Sequence, residues 1–167
     1  MPAKEGLMKK SKFEDAFSKF SYGVYVLTAS TNEKINGCTI AWVSRVSFEP
    51  PIVAVSIAPE RLTHEYVKQA RTFALSVIPD SDRGVELGRH FGLVSGRKVD
   101  KFASIEYFTG ETGAPILKEA IGYVESKVIF STEAGDHTIF VGEILSGKVL
   151  KESERPLTFI PSQYFGL

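Results

Sequence analysis

The chain has 167 residues, 43% hydrophobic and 24% charged, which are the proportions of a folded globular protein and not of a disordered or fibrous one. Its 20 Lys and Arg residues balance its 20 Asp and Glu residues, so no general attraction to nucleic acid or to an anionic membrane is expected. Cys38 stands alone, which excludes an intramolecular disulfide and a thiolate metal site and fits a reducing compartment.

That length suits one compact domain over residues 1–167. The opening "MPAKEGLMKKSKFEDAF" mixes charges and lacks the apolar run of a secretory signal. The longest apolar stretch, "PPIVAVSIA", is far shorter than the roughly 20 residues of a membrane helix. A cytoplasmic location is the expectation.

In chain order, Phe13, Ala16, Phe17 and Phe20 have i, i+3, i+4, i+7 spacing, which predicts a short amphipathic helix laid on the body. "YGVYVLTAS" is β-branched and aromatic and predicts a strand ending at the polar turn "TNEKING". "CTIAWVSRVSF" reads as its return strand, and Pro50-Pro51 interrupts the sheet before "IVAVSIA". In "PERLTHEYVKQAR" Thr63 is the expected N-cap of a short helix, with Glu65 in its first turn. "TFALSVI" is another strand. "DSDRGVELGRHFG" predicts a helix capped by Asp or Ser and ended by Gly92. After the polar loop "SGRKVDKF", the alternating runs "AIGYVESKVIFS" and "HTIFVGEILSGKVL" predict an antiparallel hairpin about "TEAGD". Strands joined by tight turns, with helices inserted between them, argue for a mainly β antiparallel barrel and against a doubly wound sheet.

Common catalytic patterns are missing. His64-Glu65 lacks the second histidine of a zinc-protease helix, so no metal is expected there, and neither a G-x-S-x-G elbow nor a G-x-G-x-x-G turn nor a P-loop occurs. Cys38 among apolar neighbours reads as a small buried hydrophobe. Three stretches could instead bind a ligand. "NGCTIAW" offers small side chains and exposed peptide groups to a flat heterocycle, or is a plain hairpin with Trp42 in the core. "SIAPERLTHEYV" sets Ser56, Arg61, Thr63 and His64 around a helix start that could take an anion, or is an ordinary cap. "RHFGLVSGRKVDKF" presents Ser95, Gly96, Arg97 and Lys101 as donors for a phosphate or ribityl chain, or is a solvated basic loop.

As an ordered set, "NGCTIAW", "VSFEPP", "SIAPERLTHEYV", "HFGLVSGRKVDKF", "GAPIL" and "AGDHTIFVGEI" resemble the flavin reductase-like proteins. The resemblance implies an FMN-binding split β-barrel, antiparallel and Greek-key-like, with a few peripheral helices. It implies FMN contacts at Thr39, Ile40, Ala41, Trp42, Ser56, Ile57, Thr63, His64, Ser95 and Lys101, with Arg61 and Arg97 beside them. It gives His137, aimed by the Gly135-Asp136 turn, the task of receiving nicotinamide at the open face of the flavin. Thr39 and neighbouring backbone donors would stabilise the N1–C2=O side of the reduced ring. The implied reaction is hydride transfer from NADH or NADPH to FMN N5, in a homodimer, with electrons passing to a small-molecule acceptor or a partner redox protein. Residues 38–41 read Cys-Thr-Ile-Ala where many members carry Met-Thr-Ala-Ser, so a hydroxyl near the flavin is absent. An electron carrier of the flavoredoxin kind and a non-flavin binding module remain open alternatives.

Overall fold

The structure, a computed structural model, describes residues 12–165. A four-residue helix α1 (Glu14–Phe17) precedes strands β1 (Tyr25–Thr31), β2 (Lys34–Ile40), β3 (Val43–Ser47) and β4 (Ile52–Ile57). Helix α2 (Leu62–Ala70), strand β5 (Thr72–Val77) and helix α3 (Asp82–Leu93) follow. Two short strands, β6 (Tyr107–Thr109) and β7 (Pro115–Leu117), lead to the long hairpin of β8 (Gly122–Ala134) and β9 (His137–Val149), and α4 (Pro161–Phe165) comes last. No helix among the described residues is long and apolar enough to cross a membrane.

Seven strands form one antiparallel sheet in the order β2-β1-β5-β8-β9-β4-β3. Its two edge strands, β2 and β3, are consecutive in the chain and joined only by Ala41 and Trp42. Two residues cannot span a flat sheet of this width at about 4.8 Å per strand, so the sheet curls until its edges meet. The result is the expected split β-barrel, open between β2 and β3. Within it β4-β9-β8-β5 has the chain order 1-4-3-2, a Greek key traced from its other end.

Side-chain alternation divides the interior into two cores. Leu27 and Ala29 of β1 face the barrel with Cys38, Ile40, Val55, Ile57, Phe73 and Phe140. Val24 and Val26 face the other way, onto Leu87, Phe91, Phe102, Leu117 and Tyr164. Burial on both faces explains why this segment reads as a nearly continuous apolar run. Helix α3 covers the second core with Gly84, Leu87, Gly88 and Phe91, one helical stripe. The Gly84 N–H donates to Ser81 Oγ at 3.0 Å, the predicted cap.

Several local expectations change. The first hairpin turns at Asn32 and Glu33, both at positive φ (46° and 64°), so Asn36 and Gly37 lie inside β2 and not in the turn. "CTIAWVSRVSF" is broken at the barrel corner instead of forming one strand. Helix α2 is capped by the extended Arg61, because the Thr63 side chain is drawn inward to accept a hydrogen bond from Asn36 Nδ2 at 2.9 Å. Helix α3 continues through Gly92 to Leu93. In the first segment Phe17 and Phe20 meet edge to face at 5.4 Å, and Phe20 is 60% exposed.

Glu125 of β8 organises the loop between β6 and β7. It is 1% exposed, and its carboxylate accepts from Glu111 N, Thr112 N, Thr112 Oγ1 and Ser146 Oγ. A side chain at Gly110 would collide with that carboxylate, so the loop requires glycine here. Burial alone would raise the Glu125 pKa, but the hydrogen bonds from Ser146, Thr112 and Glu111 outweigh it and hold the group below the ordinary glutamate range. A depressed carboxylate pKa stabilises the fold above the unfolded-state pKa, and that contribution is lost as pH falls through the folded-state value. Glu125→Gln should therefore cost about 2–3 kcal/mol in urea unfolding at pH 7, from lost charged hydrogen bonds. The gap between mutant and wild type should narrow on acidification below the usual glutamate range.

Candidate functional site

Strand β2 is the element from which the site grows. Cys38 and Ile40 point into the barrel core, while Thr39 points to α3 and donates its hydroxyl to Gly88 O at 2.7 Å. With its side chains committed to the two faces, β2 presents peptide groups along its unpaired edge. There they border a cavity of about 140 Å³ lined by Cys38, Thr39, Ile40, Ala41, Trp42, Ser56, Ile57, Ala58, Arg61 and His137. The barrel corner thus brings together eight of the sequence-predicted residues: Thr39 to Trp42, Ser56, Ile57, Arg61 and His137.

At one side of the cavity the rings of Trp42 and His137 lie 4.8 Å apart and tilted by 51°. Trp42 is half exposed and not a core residue. His137 opens β9 directly after the two-residue turn Gly135-Asp136, where Gly135 takes φ 63°, a conformation that favours glycine. His137 Nδ1 is hydrogen-bonded to Asp136 Oδ1 at 2.7 Å, so the carboxylate orients the ring. Arg61, between the start of α2 and the end of α3, donates from Nη1 to Gly92 O at 2.8 Å.

Lys101 sits behind β2. Only 3% exposed, it donates from Nζ to Gly37 O and Phe91 O, both at 2.9 Å. Burial pushes its pKa down to about 8, with Cys38 acting against the shift and Arg61 adding to it. No carboxylate among the described residues pairs with it. Burial also raises the Cys38 thiol pKa, more than the Thr63 hydroxyl, Arg61 and Lys101 lower it, so the sulfur is a neutral thiol.

The remaining predicted residues lie off this cavity. Thr63 is buried against Asn36, and the His64 ring is hydrogen-bonded to Thr138 Oγ1 at 2.8 Å and packs edge-on to Phe140 at 5.3 Å. Burial pushes the His64 pKa down, and Lys68 acts in the same direction. These two side chains tie α2 to β2 and β9. Ser95 Oγ accepts from Arg97 N at 3.2 Å, and Arg97 is paired with Glu65. Arg97 and Lys101 line a second cavity of about 410 Å³, together with Lys34, Asn36, Tyr66 and Lys98.

Sequence reasoning did not place Cys38 or Ala58 at the site. Strict alternation through "NGCTIA" could have found Cys38. Nothing local marks Gly37 O, Phe91 O and Gly92 O as the carbonyls that hold the two cations. Chemically, the arrangement offers a wall of peptide groups, a cationic side from Arg61 with Lys101 behind it, and an aromatic side at Trp42 and His137. A planar ligand bearing an anionic group fits this description.

Comparison with known proteins agrees with the geometry. The ferric-chelate reductase (NAD(P)H) of Archaeoglobus fulgidus is 35% identical over 84% of this chain and 83% of its own length. The high molecular weight rubredoxin of Moorella thermoacetica is also 35% identical, over 86% of this chain, which spans only 62% of that protein. The crystal structure of an FMN-binding protein from Thermus thermophilus with bound p-hydroxybenzaldehyde superposes with a TM-score of 0.73 at 32% identity, covering 79% of this chain and 74% of that one. Residues 17–167 match the family described as flavin reductase like domain, and the chain belongs to that family.

Proposed function

We propose that the chain binds FMN along β2 and acts as an NAD(P)H-dependent flavin oxidoreductase. The observation that carries this reading is a cavity walled by backbone, with Arg61 beside it and the buried Lys101 behind it, lacking an ion pair among the described residues. The donor set fits the cofactor. Peptide groups of residues 38–41 suit a flat heterocycle, and the cations suit its phosphate or its reduced ring. Bound there, FMN supplies the redox chemistry, accepting hydride at N5 from NADH or NADPH. The chain's own task is to bind, orient and exclude water.

His137 is the residue we assign to the nicotinamide. Asp136 fixes its ring, the two-residue turn holds it at the cavity mouth, and Trp42 limits its swing. Thr39 contributes indirectly, because its hydroxyl is spent on Gly88 O and leaves the peptide of β2 as the ligand-facing group. The likeness to a rubredoxin supports a second reading, in which the same site holds FMN permanently and exchanges electrons with a protein partner. The electron acceptor is then a small molecule in the first reading and a redox protein in the second.

A homodimer belongs to the same proposal. The outer face of β4, β9 and β8 aligns Ala54, Val141 and Phe130 in register, and Phe130, Val46 and the 81% exposed Phe48 stand in solvent. An apolar cavity of about 280 Å³ lined by Tyr22, Trp42, Ala54 and Ile139 continues this face to the flavin site, sharing Trp42 and Ser56 with it. A second copy would bury that surface.

The purified protein should bind FMN with a visible flavin spectrum, and NADH or NADPH added without oxygen should bleach it. Failure to take up FMN would remove the proposal, and uptake without bleaching by either nicotinamide would favour the electron carrier. His137→Ala should leave FMN affinity within about twofold and raise the nicotinamide Michaelis constant or slow flavin reduction roughly 10- to 100-fold. Light scattering should give twice the 18.4 kDa chain mass, and Phe48→Asp should shift it toward the monomer.

A further inference from the structure

The start of α2 is tied to several elements around the cavity at once. Arg61, its cap residue, lines the cavity and donates to Gly92 O on α3. Thr63 and His64, both buried, point elsewhere: Thr63 Oγ1 accepts from Asn36 Nδ2 of β2 at 2.9 Å, and His64 Nε2 is hydrogen-bonded to Thr138 Oγ1 of β9 at 2.8 Å. Strand β2 supplies the peptide wall and β9 supplies His137, so two adjacent residues of one helical turn join the two sides of the site. The support that His137 receives from the sheet is one-sided. Strand β4 pairs with β9 only from Thr138, opposite Ile57, and β5 pairs with β8 only as far as Lys127. His137 lies one residue beyond the last β4–β9 pair and is matched only to Ala134 across its own turn. A hairpin held this way can tilt about that last pair, because ladder hydrogen bonds run in the plane of the sheet and oppose an out-of-plane tilt weakly. Trp42 touches the His137 ring, but it is half exposed and sits on the two-residue link between β2 and β3. The bond from His64 acts out of the plane. Thr138 and Phe140 share the inner face of β9, and His64 meets both, packing edge-on to Phe140 at 5.3 Å.

We propose that His64 and Thr138 are positioning residues for His137: through their hydrogen bond the start of α2 fixes the tilt of the β8–β9 turn and so the place of the imidazole at the cavity mouth. The functional half of the inference rests on the flavin reading and gives His64 a task away from the cofactor. His64 does not line the cavity, and its effect passes through Thr138 to the neighbouring ring. Hydride transfer is sensitive to such a displacement, since an error of about 1 Å in the alignment of two reactants can cost on the order of 100-fold in rate. The hydrogen bond is what distinguishes this tether from packing alone, so a side chain of the same shape without the hydroxyl should release the turn while leaving the β-ladder intact.

The test uses Thr138→Val, which keeps the branched shape and removes the hydroxyl, and Thr138→Ser, which keeps the hydroxyl. Thr138→Ala is the second variant should Thr138→Val fail to fold. The first readout needs no ligand. Trp42 is the one tryptophan of the chain and rests 4.8 Å from the His137 ring, so its fluorescence reports that contact. In the free protein Thr138→Val should shift the emission toward that of His137→Ala, Thr138→Ser should restore it, and Thr138→Val added to His137→Ala should change nothing further. The second readout is anaerobic reduction of the FMN-loaded chain. Thr138→Val should leave FMN affinity within about twofold and slow reduction by NADH or NADPH roughly 5- to 20-fold, with recovery in Thr138→Ser and no added slowing in the His137→Ala background. An unchanged emission in Thr138→Val, or equal slowing with and without His137, overturns the positioning role and leaves the flavin reading intact. A shifted emission with an unchanged reduction rate shows a tether without functional consequence and overturns the proposal as well. Wild-type chain that fails to bind FMN overturns the flavin reading by itself, and bound FMN that neither nicotinamide reduces removes the reaction for which His137 would be positioned.

Discussion

The structure depends on one geometric constraint: the two edges of its sheet are neighbours in the chain, two residues apart. A sheet so connected has to close, yet β2 and β3 do not pair across the seam. Strand β2 is thereby left with the barrel core against one face, α3 against the other, and one unpaired edge. Buried peptide groups without partners are costly, so such an edge must be satisfied by side chains, water or a ligand. Lys101 claims Gly37 O from behind. The peptides of residues 38–41 run on into the cavity, whose wall they share with Trp42, Arg61 and His137. The site is what remains when a barrel is closed by the chain without being closed by hydrogen bonds.

The same constraint sets the electrostatics. The chain as a whole is neutral, so charge cannot steer a ligand from a distance; it has to be concentrated locally. Helices α2 and α3 do this at their ends. Arg61 is directed to Gly92 O and Lys101 to Phe91 O, both carbonyls of the last turn of α3, where unpaired carbonyls carry partial negative charge. Partial charges can hold two cations in place without neutralising them, which a carboxylate would do. The contrast with Glu125 is instructive. That buried carboxylate is fully satisfied by hydroxyl and N–H donors and serves a loop, whereas the buried ammonium has two neutral carbonyl acceptors and borders the second cavity.

How much of this was legible in the sequence follows from which forces act locally. Strand and helix order could be read because alternation and the α3 stripe are short-range patterns, and Ser81 capped α3 as its chemistry predicts. The turn of the first hairpin falls within the predicted "TNEKING" but is narrower, at Asn32 and Glu33, and Asn36 in the strand is held by Thr63 of α2, a contact made across 27 positions of chain. The predicted Thr63 cap failed for the reciprocal reason. Phe17 and Phe20 have the predicted helical spacing but meet each other and stay largely exposed, so periodicity identified an apolar face without saying what covers it. At the site, the contiguous run Thr39 to Trp42 converges because one strand end carries it, and His137 joins because β9 pairs with β4 from Thr138 onward. Ser95, Arg97 and Lys101 belong to a loop whose direction is decided by burial, which sequence spacing does not encode.

Hydride acceptance and one-partner electron exchange place the same demand on the cavity and different demands on its mouth. A nicotinamide must lie face to face with the flavin, which requires a rigid, ring-sized opening. An electron-transfer partner needs only a close approach to the ring edge and a surface on which to dock. His137 speaks for the first. It follows a two-residue turn, the tightest connection a hairpin allows, its Nδ1 is bound to Asp136, and its ring rests on Trp42. An ordered ring of this kind is preorganised to meet a planar group and would be superfluous on a docking face, where adaptable side chains serve as well. The apolar cavity lined by Tyr22, Ala54 and Ile139 meets Trp42 as well, and the second copy proposed for that side would leave the His137 side as the approach for a small ligand. In the proposed reading Trp42 divides the mouth, with an apolar cavity on one side and the ordered His137 ring on the other, and this division weighs toward the reductase.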